Sequence, residues 1–251
     1  MMKAETLEQV NLINQEFYQK FADSFAQTRR TIQPGVSSIL ENIPKKGNWL
    51  DIGCGNGNLA YTWAQKGYTG LYYGIDFSFD LIAKAKNNAV QIKKGQKIVF
   101  QQADLNQENW ANSLPDVEWN GIFCFAVLHH IPGKARRKLL CAQMRELLAA
   151  GKDCSVSVWQ PRSSPRLAKR IQPWESVGID PSDVDPGDVL MDWRAHQTDG
   201  HNEPAFRFIH IFTEDELTEI ACASGFSVAG SFYSDGKEGN LGLYQHWTAK
   251  V

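Results

Sequence analysis

Apolar residues along the chain fall into short blocks with two different spacings, and together these predict a regular order of strands and helices. Asn48-Trp49-Leu50-Asp51-Ile52 reads as a buried strand running into a glycine-rich turn. A helix over 58–66 follows, with Leu59, Ala60 and Trp63 on one side. Residues 71–75 read as a second strand ending at Asp76. Residues 79–89 read as a helix, with Leu81, Ile82, Ala85 and Ala89 at helical spacing. Residues 97–102 and 119–126 are the third and fourth strands. A long helix over 133–148 carries the stripe Leu139, Leu140, Met144, Leu147 and Leu148; Gly151 ends it, and 154–159 is a fifth strand. This rhythm predicts an α/β fold with a doubly wound, mostly parallel sheet.

Two regions break the rhythm. Residues 1–45 read as mainly helical, with Val10, Ile13, Phe17, Phe21 and Phe25 every three to four positions, a stripe suited to a lid or a cover for the sheet. Residues 160–206 hold Pro161, Pro165, Pro173, Pro181, Pro186 and Pro204 and read as a long irregular stretch, of the kind that is functional or disordered. Beyond it, Thr213-Glu214-Asp215-Glu216-Leu217 reads as a capped helix start, and 226–234 with 241–248 as a closing strand pair. We expect one domain over 1–251: a helical cover (1–45), a core (46–160), an insert or substrate region (161–206), and a closing helix and strand pair (207–251).

Composition narrows the class. Hydrophobic residues at 43% and charged residues at 22% exclude a disordered chain. The longest apolar run, 122–128, is too short for a membrane span, and the first residues hold no apolar leader. Five cysteines without a C-x-x-C pair point to reduced thiols and a cytoplasmic protein. A net charge of −2 excludes a globally basic nucleic-acid binder but not a local basic patch. Two such segments follow strand ends: Lys134, Arg136, Arg137 and Lys138, and then Arg162, Arg166, Lys169 and Arg170. Bordering one mouth, they could hold a phosphate backbone. Against this, residues 175–203 are strongly acidic, with Arg194 as their only Lys or Arg.

The most informative segment is Asp51-Ile52-Gly53-Cys54-Gly55-Asn56-Gly57-Asn58. Glycines at a strand-to-helix turn let a ligand approach the backbone. A dinucleotide loop wants a glycine where this chain has Asn58, and the Asp51 acid would repel a pyrophosphate but suit a cationic amine. Asp76, at the second strand end, is placed to take both hydroxyls of a ribose. Asp104 follows the third strand and could accept from an adenine amine, with Phe77 and Leu105 as apolar faces for the base. The pair His129-His130 has no third ligand nearby, and His196 and His201 are too far apart to share a helical face, so no metal site is expected. Cys54 and Cys124 read as small packing residues.

Taken in order, W-L-D-I-G-C-G-N-G, Y-Y-G-I-D-F-S, Q-Q-A-D-L and F-A-V-L-H-H-I-P resemble the class I S-adenosylmethionine-dependent methyltransferases over residues 46–160. The resemblance implies a Rossmann-like, seven-stranded sheet with a reversed last strand and helices on both faces. It implies S-adenosyl-L-methionine as cofactor and S-adenosyl-L-homocysteine as product. Cofactor contacts would fall at Asp51, Gly53, Gly55, Asp76, Phe77, Asp104, Leu105 and Ala126.

Outside that core the chain is similar to the tRNA methyltransferases that esterify 5-carboxymethyluridine at the wobble position. The matching pieces are Phe17-Tyr18 through Phe25-Ala26-Gln27-Thr28-Arg29, the His129-His130 pair, Val156-Ser157-Val158-Trp159, residues 187–193 and residues 207–212. This resemblance implies tRNA as a partner and, as in eukaryotic members, a small zinc-binding activator subunit. Arg29 and Arg207 would clamp the acceptor carboxylate, and His129 or His130 would act as base or orienting group. The chain departs from the family at Phe208-Ile209, where two tyrosines are usual, and at Asp192, where a proline is common. Three other readings stay open. One is a methyltransferase acting on a small carboxylate, hydroxyl or quinone. A NAD-dependent oxidoreductase is disfavoured by Asn58 and Asp51. A non-catalytic scaffold is disfavoured by the intact loop with Asp76.

Overall fold

The computed structural model describes residues 2–28, 31–88, 93–193 and 205–250, the side chains of 22–28 excepted. Helices α1 (Ala4–Thr28) and α2 (Pro34–Asn42) precede β1 (Trp49–Ile52). Then come α3 (Asn58–Gln65), β2 (Gly70–Asp76), α4 (Phe79–Asn87), β3 (Gln96–Gln102), β4 (Gly121–Phe125), α5 (Lys134–Glu146) and β5 (Asp153–Trp159). The insert contributes α6 (Pro165–Ala168), β6 (Ile171–Gln172), β7 (Asp188–Trp193) and β8 (Ala205–His210). It is followed by α7 (Glu214–Ala223), β9 (Phe226–Ser234) and β10 (Gly242–Ala249).

Seven strands form one sheet in the order β3-β2-β1-β4-β5-β10-β9. Its first five members run parallel, and β10 is antiparallel to both β5 and β9. This is the expected sheet with a reversed final strand. Strands covered on both faces need apolar residues on both, which is why β1 and most of β4 are continuously buried runs. One face packs on α5 and α7 through Leu140, Met144, Leu217 and Ile220. The other packs on α2 and α3 through an aromatic layer that includes Trp63 and Tyr72, with Trp49 and Phe123 stacked at 5.0 Å.

Three expectations need correction. Over its described residues the insert is not wholly irregular: β6 and β7 lie in it and, with β8 that begins at its end, form an antiparallel sheet. Its prolines stand outside the two longer strands, and Pro161, Pro165 and Pro181 open short helical turns, where the missing N–H costs nothing. The N-terminal stripe covers this small sheet rather than the large one, with Val10 buried against Trp174, Ile179, Leu190 and Phe208, while α2 covers the large sheet. Helix α1 kinks at Phe21 (φ −116°, ψ 15°), and the side chain of Phe25 lies outside the described residues. Finally, Leu139 on α5 is exposed, and the buried stripe runs through Arg137, Leu140, Cys141 and Met144.

Arg137 anchors a charged cluster that joins α5, the small sheet and α7. Its guanidinium lies 3.7 Å from Asp185 and 3.8 Å from Asp188, and donates to the Ile131 carbonyl at 3.2 Å. His210 sits opposite Asp188 in the β7–β8 register. Its two ring nitrogens meet Asp188 at 2.6 Å and Glu216 at 2.9 Å. Both partners are carboxylates and can only accept, so both nitrogens donate and the ring is an imidazolium. Burial pulls the His210 pKa down, but the two carboxylates outweigh it and the net direction is up. Asp185 also accepts from the backbone N–H of Lys134, capping α5 from outside. Much of the acidity of 175–203 is consumed in this way: Asp183 pairs with Lys3 at 2.7 Å and Asp192 with Arg170 at 4.0 Å.

A second tie crosses the large sheet. Asp235, between β9 and β10, accepts from the Gly35 N–H at 3.0 Å and the Tyr244 hydroxyl at 2.5 Å. Gly35 has no room for a side chain, since a Cβ there would lie 2.5 Å from the Tyr244 ring.

Candidate functional site

The carboxyl ends of β1, β2, β3 and β4 form the floor of a cavity of about 220 Å³. In an open α/β sheet the crevice forms here, where chain connections leave β1 and β4 in opposite directions. Asp51, Gly53, Gly55, Asp76, Phe77, Asp104, Leu105 and Ala126 all line it. Helix α1 supplies the roof through Asn11, Asn14, Gln15 and Tyr18, and Val36 of α2 belongs to a side wall.

The glycine loop is tightly held. Gly53 (φ +73°) and Cys54 both donate to the Ile75 carbonyl, and a Cβ on Gly53 would lie 2.2 Å from Val127. Gly55 (φ +54°) is the opposite case: beyond its chain neighbours no atom lies within 4 Å of where its Cβ would be, and it lines the cavity. Ala126 at the end of β4 has φ +57°, costly for a residue with a Cβ, and is fixed by Ser157, whose carbonyl and hydroxyl both accept from its N–H.

The acids of the floor are buried. Asp76 accepts from the Gly55 N–H at 3.0 Å and the Ser78 N–H at 2.9 Å, and burial still pushes its pKa up to about 6. Asp51 accepts from the Tyr72 hydroxyl; burial, reinforced by the charge of Asp76, pushes it up to about 7. Among the described residues neither acid is paired with a cationic side chain. Two buried carboxylates that ionise reluctantly favour a ligand carrying positive charge and disfavour a phosphate. Each Asp76 oxygen has a further lone-pair direction for a ligand hydroxyl. Asp104 is largely engaged by its own loop, its Oδ1 accepting from the N–H and side-chain amide of Asn106 at 2.9 and 3.0 Å.

The two adjacent histidines diverge because they sit in a tight helical turn, Leu128–His130. His130 lines the cavity. Its Nδ1 is 3.1 Å from the Phe208 carbonyl and so carries the proton. In the neutral ring Nε2 then accepts from the Tyr18 hydroxyl at 2.8 Å. His129, which the sequence sets beside the reacting groups, is buried away from the cavity, with Nδ1 accepting from the Trp159 N–H at 3.3 Å. Arg207, which the resemblance sets on the acceptor carboxylate, is buried and does not line the cavity, its guanidinium 4.6 Å from the Trp159 ring centre and 5.4 Å from those of Phe17 and Trp193. Arg29 lies outside the described residues, as do His196 and His201.

Of the basic segments, Arg162, Arg166 and Lys169 are exposed just past β5, whereas Arg137 is buried and paired. No group of His, Cys, Asp and Glu suited to a metal occurs among the described residues, and no helix there is long and apolar enough to cross a membrane. The N-terminal helix acts as a lid, as its helical pattern leads one to expect, but the residues that line the cavity are not those of its apolar stripe. Their signal is a second stripe on the N-terminal helix, polar and spaced 11, 14, 15, 18.

Residues 24–229 match the family model described as a methyltransferase domain. The chain is 28% identical over 175 residues to a tRNA (carboxymethyluridine(34)-5-O)-methyltransferase of Arabidopsis thaliana, covering 64% of this chain but only 38% of that protein. A Schizosaccharomyces pombe protein of the same name is 26% identical over 233 residues, covering 85% of this chain and 88% of its own length. Among solved structures, a SAM-dependent methyltransferase from Methanosarcina mazei superposes with a TM-score of 0.65 at 22% identity, over 88% of this chain and 99% of that one.

Proposed function

The chain belongs to the methyltransferase-domain family, and we propose that it transfers a methyl group from S-adenosylmethionine to the carboxylate of 5-carboxymethyluridine in tRNA. When bound, the cofactor supplies a methyl group on a sulfonium, ready for in-line displacement. Asp76 holds the ribose hydroxyls, the open side of Gly55 admits the close approach of the donor, and the acid pair Asp51 and Asp76 favours its positive charge. The observation that carries the acceptor is the engagement of both histidine lone pairs, one by the Tyr18 hydroxyl and the other by the Trp159 N–H. Neither is offered as a base. A carboxylate needs none, because it is already ionised at neutral pH, whereas a hydroxyl does.

The activity named for the plant and fission-yeast relatives supports the same acceptor. Arg29 is the proposed partner of the acceptor carboxylate, since a guanidinium binds it bidentately. Arg207 holds α1 to the insert through its aromatic neighbours. Arg162, Arg166 and Lys169 supply phosphate contacts, and residues 1–251 act as one domain with the insert on the acceptor side.

Labelled S-adenosylmethionine, incubated with total tRNA and separately with a small-metabolite extract, is the direct test. The expected product is a label in digested nucleosides that mild alkali releases; label in the metabolites alone overturns the tRNA assignment. Replacing Arg162, Arg166 and Lys169 with Ser should flatten the salt dependence of tRNA binding by about 0.7–0.9 in log–log slope for each phosphate neutralised by these side chains. S-adenosylhomocysteine affinity should be unchanged.

A further inference from the structure

The roof residues are not equivalent. Asn11, Asn14, Gln15 and Tyr18 share the cavity face of α1. Asn14 is fully used: its amide donates to the His130 carbonyl at 3.1 Å and its oxygen accepts from the Phe208 N–H at 2.8 Å, pinning the helix to the floor and the small sheet. Tyr18 is bound to His130. Asn11 and Gln15, one helical turn apart and half-buried, meet no hydrogen-bond partner among the described residues. Two contacts locate them. Leu7, one turn before Asn11, packs on Gly133, and Tyr18, just beyond Gln15, packs edge-on against Phe77 at 5.5 Å. The amide pair therefore lies between the turn after β4 and the end of β2, and it lines the same cavity as Phe77, Asp104 and Leu105.

We propose that Asn11 and Gln15 read the edge of the donor's adenine from above. The proposal rests on the donor assigned under Proposed function and adds two residues on α1 to its recognition. A primary amide presents a donor and an acceptor side by side. Adenine presents the complement, an amino group beside a ring nitrogen, and Asn and Gln pair with it bidentately. Phe77 and Leu105 offer apolar surface to the base, and Asp104, with one oxygen committed to Asn106, does not complete its edge alone. Purine, which has no amino group, gives the amide oxygens no donor to accept from and should bind more weakly.

The test is calorimetry with S-adenosylhomocysteine and its counterpart with unsubstituted purine in place of adenine, S-nebularinylhomocysteine. The wild-type protein should prefer the adenine ligand at least tenfold. The double variant Asn11→Ala/Gln15→Ala should lose tenfold or more for the adenine ligand and little for the other, erasing the preference. The near-isosteric pair Asn11→Leu/Gln15→Met keeps the bulk of the roof, removes its donors and acceptors and should give the same result, which guards against a misfolded alanine variant. Unchanged discrimination in a folded variant overturns the proposal, as does an equal loss for both ligands or a loss confined to the KM for tRNA. Failure of the underlying reading looks different: the wild-type protein would bind no S-adenosylhomocysteine, or would bind it and leave tRNA unlabelled.

Discussion

Two of the places where the molecule buries charge are built on opposite terms. In the cluster around Arg137, the acids Asp185, Asp188 and Glu216 face Arg137 and His210, so each sign meets its opposite. Burial alone would raise the Glu216 carboxyl, yet His210 beside it brings it below its ordinary value. In the cavity floor, Asp51 and Asp76 receive hydrogen bonds only from neutral donors among the described residues, and both are pushed up. The same residue type thus serves different ends. Matched charges fasten elements together, whereas unmatched acids give up stability to prepare a place for a cationic ligand.

The largest effect should come from unmatching the fastened cluster. Arg137→Met leaves Asp185 without its cation and Asp188 with His210 alone, and should cost about 3–5 kcal/mol in urea unfolding, with S-adenosylhomocysteine affinity unchanged. A small stability change would mean that the cluster is not a fastening. Next comes Asp76→Ala, which should weaken S-adenosylhomocysteine binding by about 1.5–3 kcal/mol, or roughly ten- to a hundredfold. Unchanged affinity would remove Asp76 from the site.

The pH dependence separates the regions most finely. Asp51 has its folded pKa raised to about 7, so its contribution to stability is highest below the ordinary carboxylate range and falls as pH rises toward 7. Asp51→Asn should abolish that decline. S-adenosylmethionine binding runs the other way, tightening as pH rises through about 6 and about 7, because the cation favours both ionised acids. His210 is also raised, and its charged form stabilises the fold below the ordinary histidine range, with the benefit lost at higher pH. His210→Asn should therefore flatten only the upper part of a stability-versus-pH curve. If both variants flatten the same window, the contrast between the regions fails.

The large sheet was legible because its central strands are covered on both sides and so are written as apolar runs, as at Trp49-Leu50 and Ile122-Phe123-Cys124. The eight floor positions were legible because a glycine turn and three strand-end acids occur in a fixed order. The small sheet was hidden by the prolines around it, although Val189-Leu190-Met191 is an apolar run without one. Arg137 looked like part of a solvated basic face. It stands three residues before Leu140 and seven before Met144, in register with the buried stripe, and that register was the available signal. Which of His129 and His130 faces the cavity depends on a 3₁₀ turn, whose pitch adjacent letters do not encode.

The antiparallel hairpin of β9 and β10 has a consequence for the order of assembly. Its inner strand must dock on β5, as where His246 meets Ser155 across 91 positions, whereas its own turn closes locally. The hairpin should therefore form first and arrive as a unit, bringing Asp235 to the amide of Gly35 across 200 positions. Helix α2, with Val36 in the cavity wall, receives that hydrogen bond only when this longest loop closes. Binding competence should then appear in the slowest phase of refolding, after most of the helical signal has returned.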